Sequence, residues 1–261
     1  MELKVRTLAD YVASGESPEI LFWVGCAGTF DERARKVTRA VAKLLQAAGV
    51  SFAVLGTEES CTGDPARRAG HEFDFQMLAQ QNIAAMNGYG VRRIVTACPH
   101  CFNTIKNEYP DLGGQYEIVH HTQLINQLMA EGRLKVEGGS FSGKRITFHD
   151  PCYLGRGNGE YEAPRELLSK LDGELVEMKR SRARGLCCGA GGAQMFKEAE
   201  PGNKEINSER AEEALSMKPQ IIAVGCPFCN TMMTDGVKNA GKDGQVQVMD
   251  IAELILKAAD L

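Results

Sequence analysis

The sequence predicts an α/β protein made of two tandem parallel-sheet domains, related by internal duplication and hence by a pseudo-twofold axis. Three observations predict it. Strand-like and helix-like segments alternate along the chain, the order that produces parallel sheets. Cys152 and Cys187 follow Cys26 and Cys61 by 126 residues, and Cys226 and Cys229 follow Cys98 and Cys101 by 128. The flanks repeat too: ILFWVGC matches ITFHDPC, and IVTACPHCFNTIKN matches IIAVGCPFCNTMMT. Self-similarity at a fixed period is the mark of a repeated structural unit.

Residues 1–18 read as an N-terminal extension, 19–135 as the first domain and 136–261 as the second. In the first domain, EILFWVG is a β-rich run, and DERARKVTRAVAKLLQAAG has helical periodicity closed by glycine. SFAVLG is the next strand and leads to the Cys61 loop. HEFDFQMLAQQNIAAMNGYG is helical, VRRIVTA is a strand, and Cys98 opens the following helix. YEIVHHTQLINQLM closes the half as a strand running into a helix. The polar, glycine-rich segment EGRLKVEGGSFSGKR, 131–145, is the natural linker. The second domain repeats the order with ITFHD, PRELLSKL, ELVEM, the Cys187 loop, a helix around NSERAEEALSM, QIIAVG and VQVMDIAELILKAA.

With 261 residues, 43% hydrophobic and 25% charged, the composition is that of an ordinary globular protein. A net charge of −4 offers no basic footprint for nucleic acid. The first residues lack the apolar core of a signal peptide, and the most apolar windows fall short of the ~20 residues that span a bilayer. The chain is therefore expected to be soluble and cytoplasmic, without direct membrane insertion, and peripheral at a membrane only through a partner. In that compartment nine cysteines point to metal ligation or redox chemistry rather than disulfides, and an odd number cannot pair fully.

In open parallel sheets, ligands bind outside the carboxyl ends of the strands. Cys26, Cys98, Cys152 and Cys226 all follow strand-like runs directly, so the cysteines of each repeat are expected to face one site. The stretch GLCCGAGGAQMF, 185–196, sets Cys187 and Cys188 side by side. Adjacent side chains diverge, so both reach one object only if the backbone curls around it. Gly189, Gly191 and Gly192 permit that curl and let main-chain N–H groups approach an anionic ligand. A turn that merely buries two thiols is the alternative. A zinc site built from CPHC and CPFC would have its four ligands, but the other repeating cysteines would go unused. Dithiol exchange at a Cys-x-x-Cys on a strand-to-helix junction requires none of the additional thiols. Fe–S clusters use several thiolates, and the five of the second half exceed what an ordinary cubane needs.

The pattern Cys152-x34-Cys187-Cys188-Gly189-x36-Cys226-Pro-Phe-Cys229 resembles the cysteine-rich CCG domain. That domain occurs in heterodisulfide reductase catalytic subunits, anaerobic glycerol-3-phosphate dehydrogenase, lactate-utilisation Fe–S subunits and electron-transfer-flavoprotein:menaquinone oxidoreductases. HDPCYLGR, CCGAGGAQMF and CPFC, with VGCAGTF, EESCTGDPARRAG and TACPHCFNT, are most similar to the last branch. The resemblance implies that Cys152, Cys187, Cys188, Cys226 and Cys229 ligate a noncubane [4Fe–4S] cluster. In the first repeat Thr62 stands where the second cysteine of the pair belongs. Cys26, Cys61, Cys98 and Cys101 then suffice for a cubane or an incomplete site, and a cluster-free first half that only packs against the second is the alternative.

The same resemblance implies an iron–sulphur electron-transfer subunit of an oxidoreductase. Its electrons would pass between an electron-transfer flavoprotein or other dehydrogenase and a membrane quinone-reducing partner. Those relatives usually carry ferredoxin-type clusters and membrane helices, which this sequence lacks, so it reads as a separate subunit. Two alternatives are a heterodisulfide or thiol-substrate reductase acting at the cluster, and a zinc-stabilised scaffold without redox function.

Several other residues invite a role. His120 and His121, at a strand end, are expected to make ordinary hydrogen bonds. His149, beside Asp150 and Cys152, stays open among ligand, proton relay and structure. Asp64, Arg67 and Arg68 read as a surface ion pair. Lys179, Arg180, Arg182 and Arg184 form a basic stretch suited to an acidic redox partner. Met195 and Phe196 are expected to cover the cluster from water.

Overall fold

Among the described residues every strand pairing is parallel. The computed structural model describes residues 3–198 and 201–261, which divide into two units, one ending at Lys135 with Leu261 added and one running from Val136 to Asp260.

The first unit runs β1 (Arg6–Thr7), α1 (Leu8–Ala13), β2 (Ile20–Trp23), α2 (Gly25–Phe30), α3 (Glu32–Ala47), β3 (Phe52–Val54), α4 (Asp64–Arg68), α5 (Glu72–Gly88), β4 (Arg93–Thr96), α6 (Pro99–Asn107), β5 (Glu117–His120) and α7 (His121–Ala130). Its sheet has the order β1-β3-β2-β4-β5. All four residues of β2 are buried, as a strand covered by helices on both faces requires. Asp31 caps α3 by accepting the Ala34 N–H at 2.7 Å, and Val37, Val41, Leu44 and Leu45 form its buried stripe.

The second unit runs β6 (Arg145–Phe148), α8 (Gly155–Asn158), α9 (Glu162–Ser169), β7 (Glu174–Leu175), α10 (Ile206–Ser216), β8 (Ile221–Val224), α11 (Pro227–Asn239), β9 (Gln247–Asp250) and α12 (Ile251–Ala258). Its order, β7-β6-β8-β9, repeats the β3-β2-β4-β5 core of the first sheet. In each unit the chain leaves the central strand to one side and returns across it. The reversal falls between β2 and β4, and between β6 and β8, and such a switch point opens a crevice at the carboxyl edge of the sheet.

The α/β class, the parallel sheets and the repeated order agree with the sequence reading. Three details differ. Residues 1–18 are more than an extension, because β1 adds an edge strand through the Arg6↔Ala53 and Thr7↔Val54 pairs. ELVEM pairs only over Glu174–Leu175. The 131–145 segment is no free linker. Arg133 donates to the carbonyls of Ala48 and Gly49 in the first unit. Glu137 N–H bonds Ala258 O in the second, and Phe141 is buried there with its N–H on Asp172.

Candidate metal centre

The backbone brings the cysteines of each unit together in the same way. Cys26 lies just beyond β2 and Cys152 just beyond β6. Cys98 and Cys226 are the N-cap residues of α6 and α11, with Pro99 and Pro227 at the first helical position. Cys101 and Cys229 follow in the first turn, where the unpaired N–H groups and the helix dipole favour negative charge. None of the nine cysteines forms a disulfide, and Cys98, Cys101, Cys188, Cys226 and Cys229 are buried.

In the first unit the Cys26 thiol hydrogen-bonds Cys61, and Cys101 hydrogen-bonds Cys98. In the second unit all five sulphurs join one chain, in which Cys152 and Cys188 both bond Cys187 and Cys229 bonds Cys188 and Cys226. Each group concentrates charge on one sulphur. The hydrogen bond from Cys26 brings Cys61 down to about 6 against the opposing effect of burial, with the Gly63 N–H assisting. Hydrogen bonds from Cys152 and Cys188 hold Cys187 far below the usual thiol range. The thiols of Cys26, Cys101, Cys152, Cys188 and Cys229 are pushed up, first by the hydrogen bonds that hold their protons and then by burial. Shared protons of this kind are what a metal centre displaces, since thiolates are the ligands.

The sequence-predicted glycines divide by role. Gly189 has φ +92° and donates its N–H to Cys187 Sγ at 3.3 Å. Gly192 also takes positive φ, at +69°, whereas Gly191 does not. Gly63, unremarked in the sequence reading, is the counterpart of Gly189: φ is +86° and its N–H donates to Cys61 Sγ at 3.5 Å. Gly25 has φ +77°, and a Cβ there would stand 3.3 Å from Cys101 Sγ. Only glycine lets the backbone come that close to the sulphur.

Thr62 occupies the place of the missing fifth thiol. It is buried, and its Oγ1 donates to Cys101 Sγ at 3.9 Å, as the thiols of Cys188 and Cys229 engage in the second unit. Tyr109 Oη donates to Thr62 O at 3.2 Å. The Asn82 amide, fully buried, donates to Cys61 O and accepts from Ser60 N–H. Half-buried Glu59 ties the two loops by accepting the N–H groups of Val24 at 3.0 Å and Gly25. Burial pushes its carboxyl up to about 7 against those two bonds. In the second unit the same tie is made in reverse: Asp150 accepts the Arg182 N–H at 2.7 Å and holds Arg165 through bonds of 2.7 and 3.0 Å.

The remaining candidates sort as follows. Asp64 and Arg68 do form the expected ion pair, at 3.1 Å, but its carboxylate is not at the surface. Asp64 is only 3% exposed and bonds His100 Nδ1, inside CPHC, at 2.8 Å, while both arginines bond Glu108. Burial alone would raise the Asp64 carboxyl, but the bonds and charges of His100 and Arg68 hold it below its ordinary value. His120 and His121 are fully buried at the β5 end, with His120 Nδ1 2.7 Å from Thr122 Oγ1, in a structural role. Arg180 pairs with Glu209 and Glu213, and Arg182 with Glu162, so half of the supposed docking charge is already neutralised. Phe196 is 62% exposed and meets Phe228 edge-on at 6.0 Å, so it shields one side of CPFC without closing it.

His149 lies beside two thiols of the second group. A ring nitrogen and the Sγ atoms of Cys188 and Cys229 are within 4.8 Å of one another. Its Nδ1 accepts from Arg210 Nε at 3.0 Å, and Nε2 is buried without a partner. Burial first, and then the Arg210 charge, lowers the ring to about 3, so it is neutral at pH 7.

Soft sulphur donors at this density suit an iron–sulphur centre or zinc. Tetrahedral zinc takes four ligands, which the first group could supply and the second exceeds. N–H groups aimed at sulphur, from Gly63 and Gly189, and the partnerless His149 Nε2 fit a cluster that carries its own sulphides.

Comparison with known proteins agrees with this geometry. Residues 20–106 and 146–234 each match the family described as CCG, cysteine-rich domain. The chain is 45% identical over 258 residues to a probable iron-sulfur-binding oxidoreductase, FadF, of Bacillus subtilis, covering 98% of this chain and 36% of that protein. It is 44% identical over 266 residues to the EtfAB:quinone oxidoreductase of Syntrophomonas wolfei, covering 99% of this chain and 37% of that protein. With one subunit of the dihydromethanophenazine:CoB–CoM heterodisulfide reductase of Methanosarcina barkeri it shares 35% identity, over 94% of this chain and 60% of that polypeptide. The chain thus spans little more than a third of the first two relatives. Among the described residues no helix is long and apolar enough to cross a membrane.

Proposed function

The chain belongs to the cysteine-rich CCG-domain family, and we propose on that footing that it is an iron–sulphur electron-transfer part of an oxidoreductase. The observation that carries the reading is that Cys26, Cys61, Cys98 and Cys101 interact with one another in the first unit, and Cys152, Cys187, Cys188, Cys226 and Cys229 in the second. Cys152, Cys187, Cys188, Cys226 and Cys229 would hold a [4Fe–4S] cluster with a fifth thiolate, the noncubane form. Cys26, Cys61, Cys98 and Cys101 would hold an ordinary four-thiolate cluster, with the Thr62 hydroxyl as a hydrogen-bond donor in place of a ligand. Bound there, such clusters supply one-electron redox chemistry at potentials set by charge, burial and hydrogen bonds to sulphur.

The protein supplies the rest. Gly25, Gly63 and Gly189 let backbone meet sulphur, the helix N-termini of α6 and α11 offset thiolate charge, and Glu59 and Asp150 hold the ligand loops in register. By likeness to relatives named as oxidoreductases of an electron-transfer flavoprotein and quinone, the donor would be a flavoprotein or dehydrogenase and the acceptor a membrane quinone-reducing partner. The chain would sit at the cytoplasmic face through that partner. A second reading, reduction of a disulfide or other thiol substrate at the five-thiolate cluster, is favoured by the likeness to a heterodisulfide reductase polypeptide.

The test is stopped-flow mixing of the anaerobic, oxidised protein with a reduced electron-transfer flavoprotein. Bleaching of the cluster absorbance on mixing, with the second cluster's share of that bleaching missing in a Cys226→Ser variant, is the expected result. Bleaching only by a dithiol would favour the second reading, and no bleaching by either would overturn both.

A further inference from the structure

Inside the second unit, His149 has the position of a metal ligand and the protonation of a donor. Its Nδ1 receives the Arg210 Nε–H at 3.0 Å. A guanidinium has donors and no acceptor, so Nδ1 must present its lone pair. The one proton of the neutral ring therefore sits on Nε2. Arg210 cannot swing away to reverse this, because its Nη1 also donates to Arg180 O at 2.8 Å and to Glu213 Oε2 at 2.9 Å. It is fully buried on α10.

A histidine that binds a metal through one nitrogen ordinarily donates its other N–H to a carboxylate, carbonyl or water. Here the second nitrogen faces a cation that can only donate. Coordination through Nε2 would strip the ring of both protons. With Nδ1 occupied, Nε2 is the nitrogen left for the Cys188 and Cys229 sulphurs, and it has no partner within the protein. A buried donor without an acceptor is destabilising, and an acceptor in the thiol pocket would remove that penalty.

The first repeat supports the same assignment independently. Trp23 stands 126 residues before His149, at the same strand end, just ahead of Cys26. It is fully buried, and its indole Nε1 likewise lacks a partner. Indole donates and cannot ligate. Both repeats thus keep a buried, unsatisfied N–H at this position, and only one of the two residues could ever bind metal.

We propose that His149 is the Nε2–H donor to a cluster sulphur in the second domain, not an iron ligand, and that Arg210 is the positioning residue that fixes its tautomer. The proposal rests on the reading that this thiol group holds an iron–sulphur cluster. An N–H···S bond favours the more negative, reduced state and so raises the potential.

The experiment compares anaerobic wild-type protein with His149→Phe and His149→Gln. It measures iron and sulphide per chain, the midpoint potential by EPR-monitored titration, and the nitrogen and proton couplings of the wild-type cluster by electron–nuclear double resonance. The expected result is unchanged iron in both variants. The second-domain cluster in His149→Phe becomes about tenfold harder to reduce, about 59 mV for one electron, with part of that loss restored in His149→Gln. The wild-type cluster shows an exchangeable proton coupling lost in D2O and no large nitrogen coupling. A strong nitrogen coupling in the wild type, or loss of one cluster's iron in both variants, would make His149 a ligand and overturn the proposal. An unmoved potential with no exchangeable proton would remove it as a donor. Wild-type protein without iron would defeat the underlying cluster reading instead, so the two failures are distinguishable.

Discussion

Gly63 and Gly189 occupy the same place in the two repeats with nearly the same backbone, φ +86° and +92°, yet they differ in the room around them. A Cβ on Gly63 would stand 2.8 Å from Phe75 Cδ2 and 3.1 and 3.2 Å from the Phe75 Cα and carbonyl oxygen. A Cβ on Gly189 would find Ile206 and Met232 at 3.4 Å, near ordinary contact. Alanine in the left-handed region costs about 1–2 kcal/mol at either site. Overpacking against Phe75, which is buried in α5 and cannot yield, adds about 1–3 kcal/mol at Gly63 only. Gly63→Ala should therefore destabilise the first unit by about 2–5 kcal/mol, against about 1–2 kcal/mol for Gly189→Ala in the second. Trp23 is the single tryptophan and is buried in the first unit, so its fluorescence follows that unit while far-ultraviolet circular dichroism follows both. Urea titrations read by the two signals separate the losses. Equal destabilisation, or a larger loss in Gly189→Ala, would refute the steric argument and with it the claim that the two loops are built alike but packed differently.

Thr62→Cys should convert the first thiol group to the five-cysteine pattern, giving the first cluster the absorbance and EPR features of the second. The reciprocal Cys188→Thr should remove those features from the second cluster while keeping its iron. Arg165→Met leaves Asp150 buried without its partner, a change that costs about 3–5 kcal/mol. The Arg182 amide, which bonds Asp150, should then lose protection in hydrogen exchange. For Asp64 the folded pKa lies below the unfolded value of about 3.9, so its contribution is complete above that value and is lost as pH falls through the folded one. In chelator-treated protein, the urea midpoint of Asp64→Asn should trail wild type at about pH 5 and converge with it as pH falls below about 4. A gap that widens below about pH 4 would contradict the assignment.

The duplicated cysteines made the fold and both thiol groups legible, because the same spacing implies the same strand and helix order, and strand ends converge in a parallel sheet. α3 was equally plain, with an acidic cap and an apolar stripe at helical spacing. What escaped depended on contacts distant in sequence. ELVEM has the composition of a full strand, but its register pairs end at Leu175, Val176 adds one N–H bond to Ile146 O, and Glu177 bonds Arg165 instead. Asp64 beside two arginines looks like surface until His100, 36 residues later, buries it. β1 is two residues long, too short to leave a pattern. Arg210 carries no local sign of its bond to His149, 61 residues away. Gly63 and Trp23 were within reach, since the 126-residue offset leads to each from Gly189 and His149. Trp and His look unlike until both are seen as buried N–H donors.

The most direct test of the central claim is the metal and sulphide content of anaerobically purified protein, measured with its visible spectrum. Two four-iron clusters predict about eight irons and eight acid-labile sulphides per chain, a brown protein, and loss of about half of that iron in Cys226→Ser. A colourless protein that holds zinc and no sulphide would contradict the account.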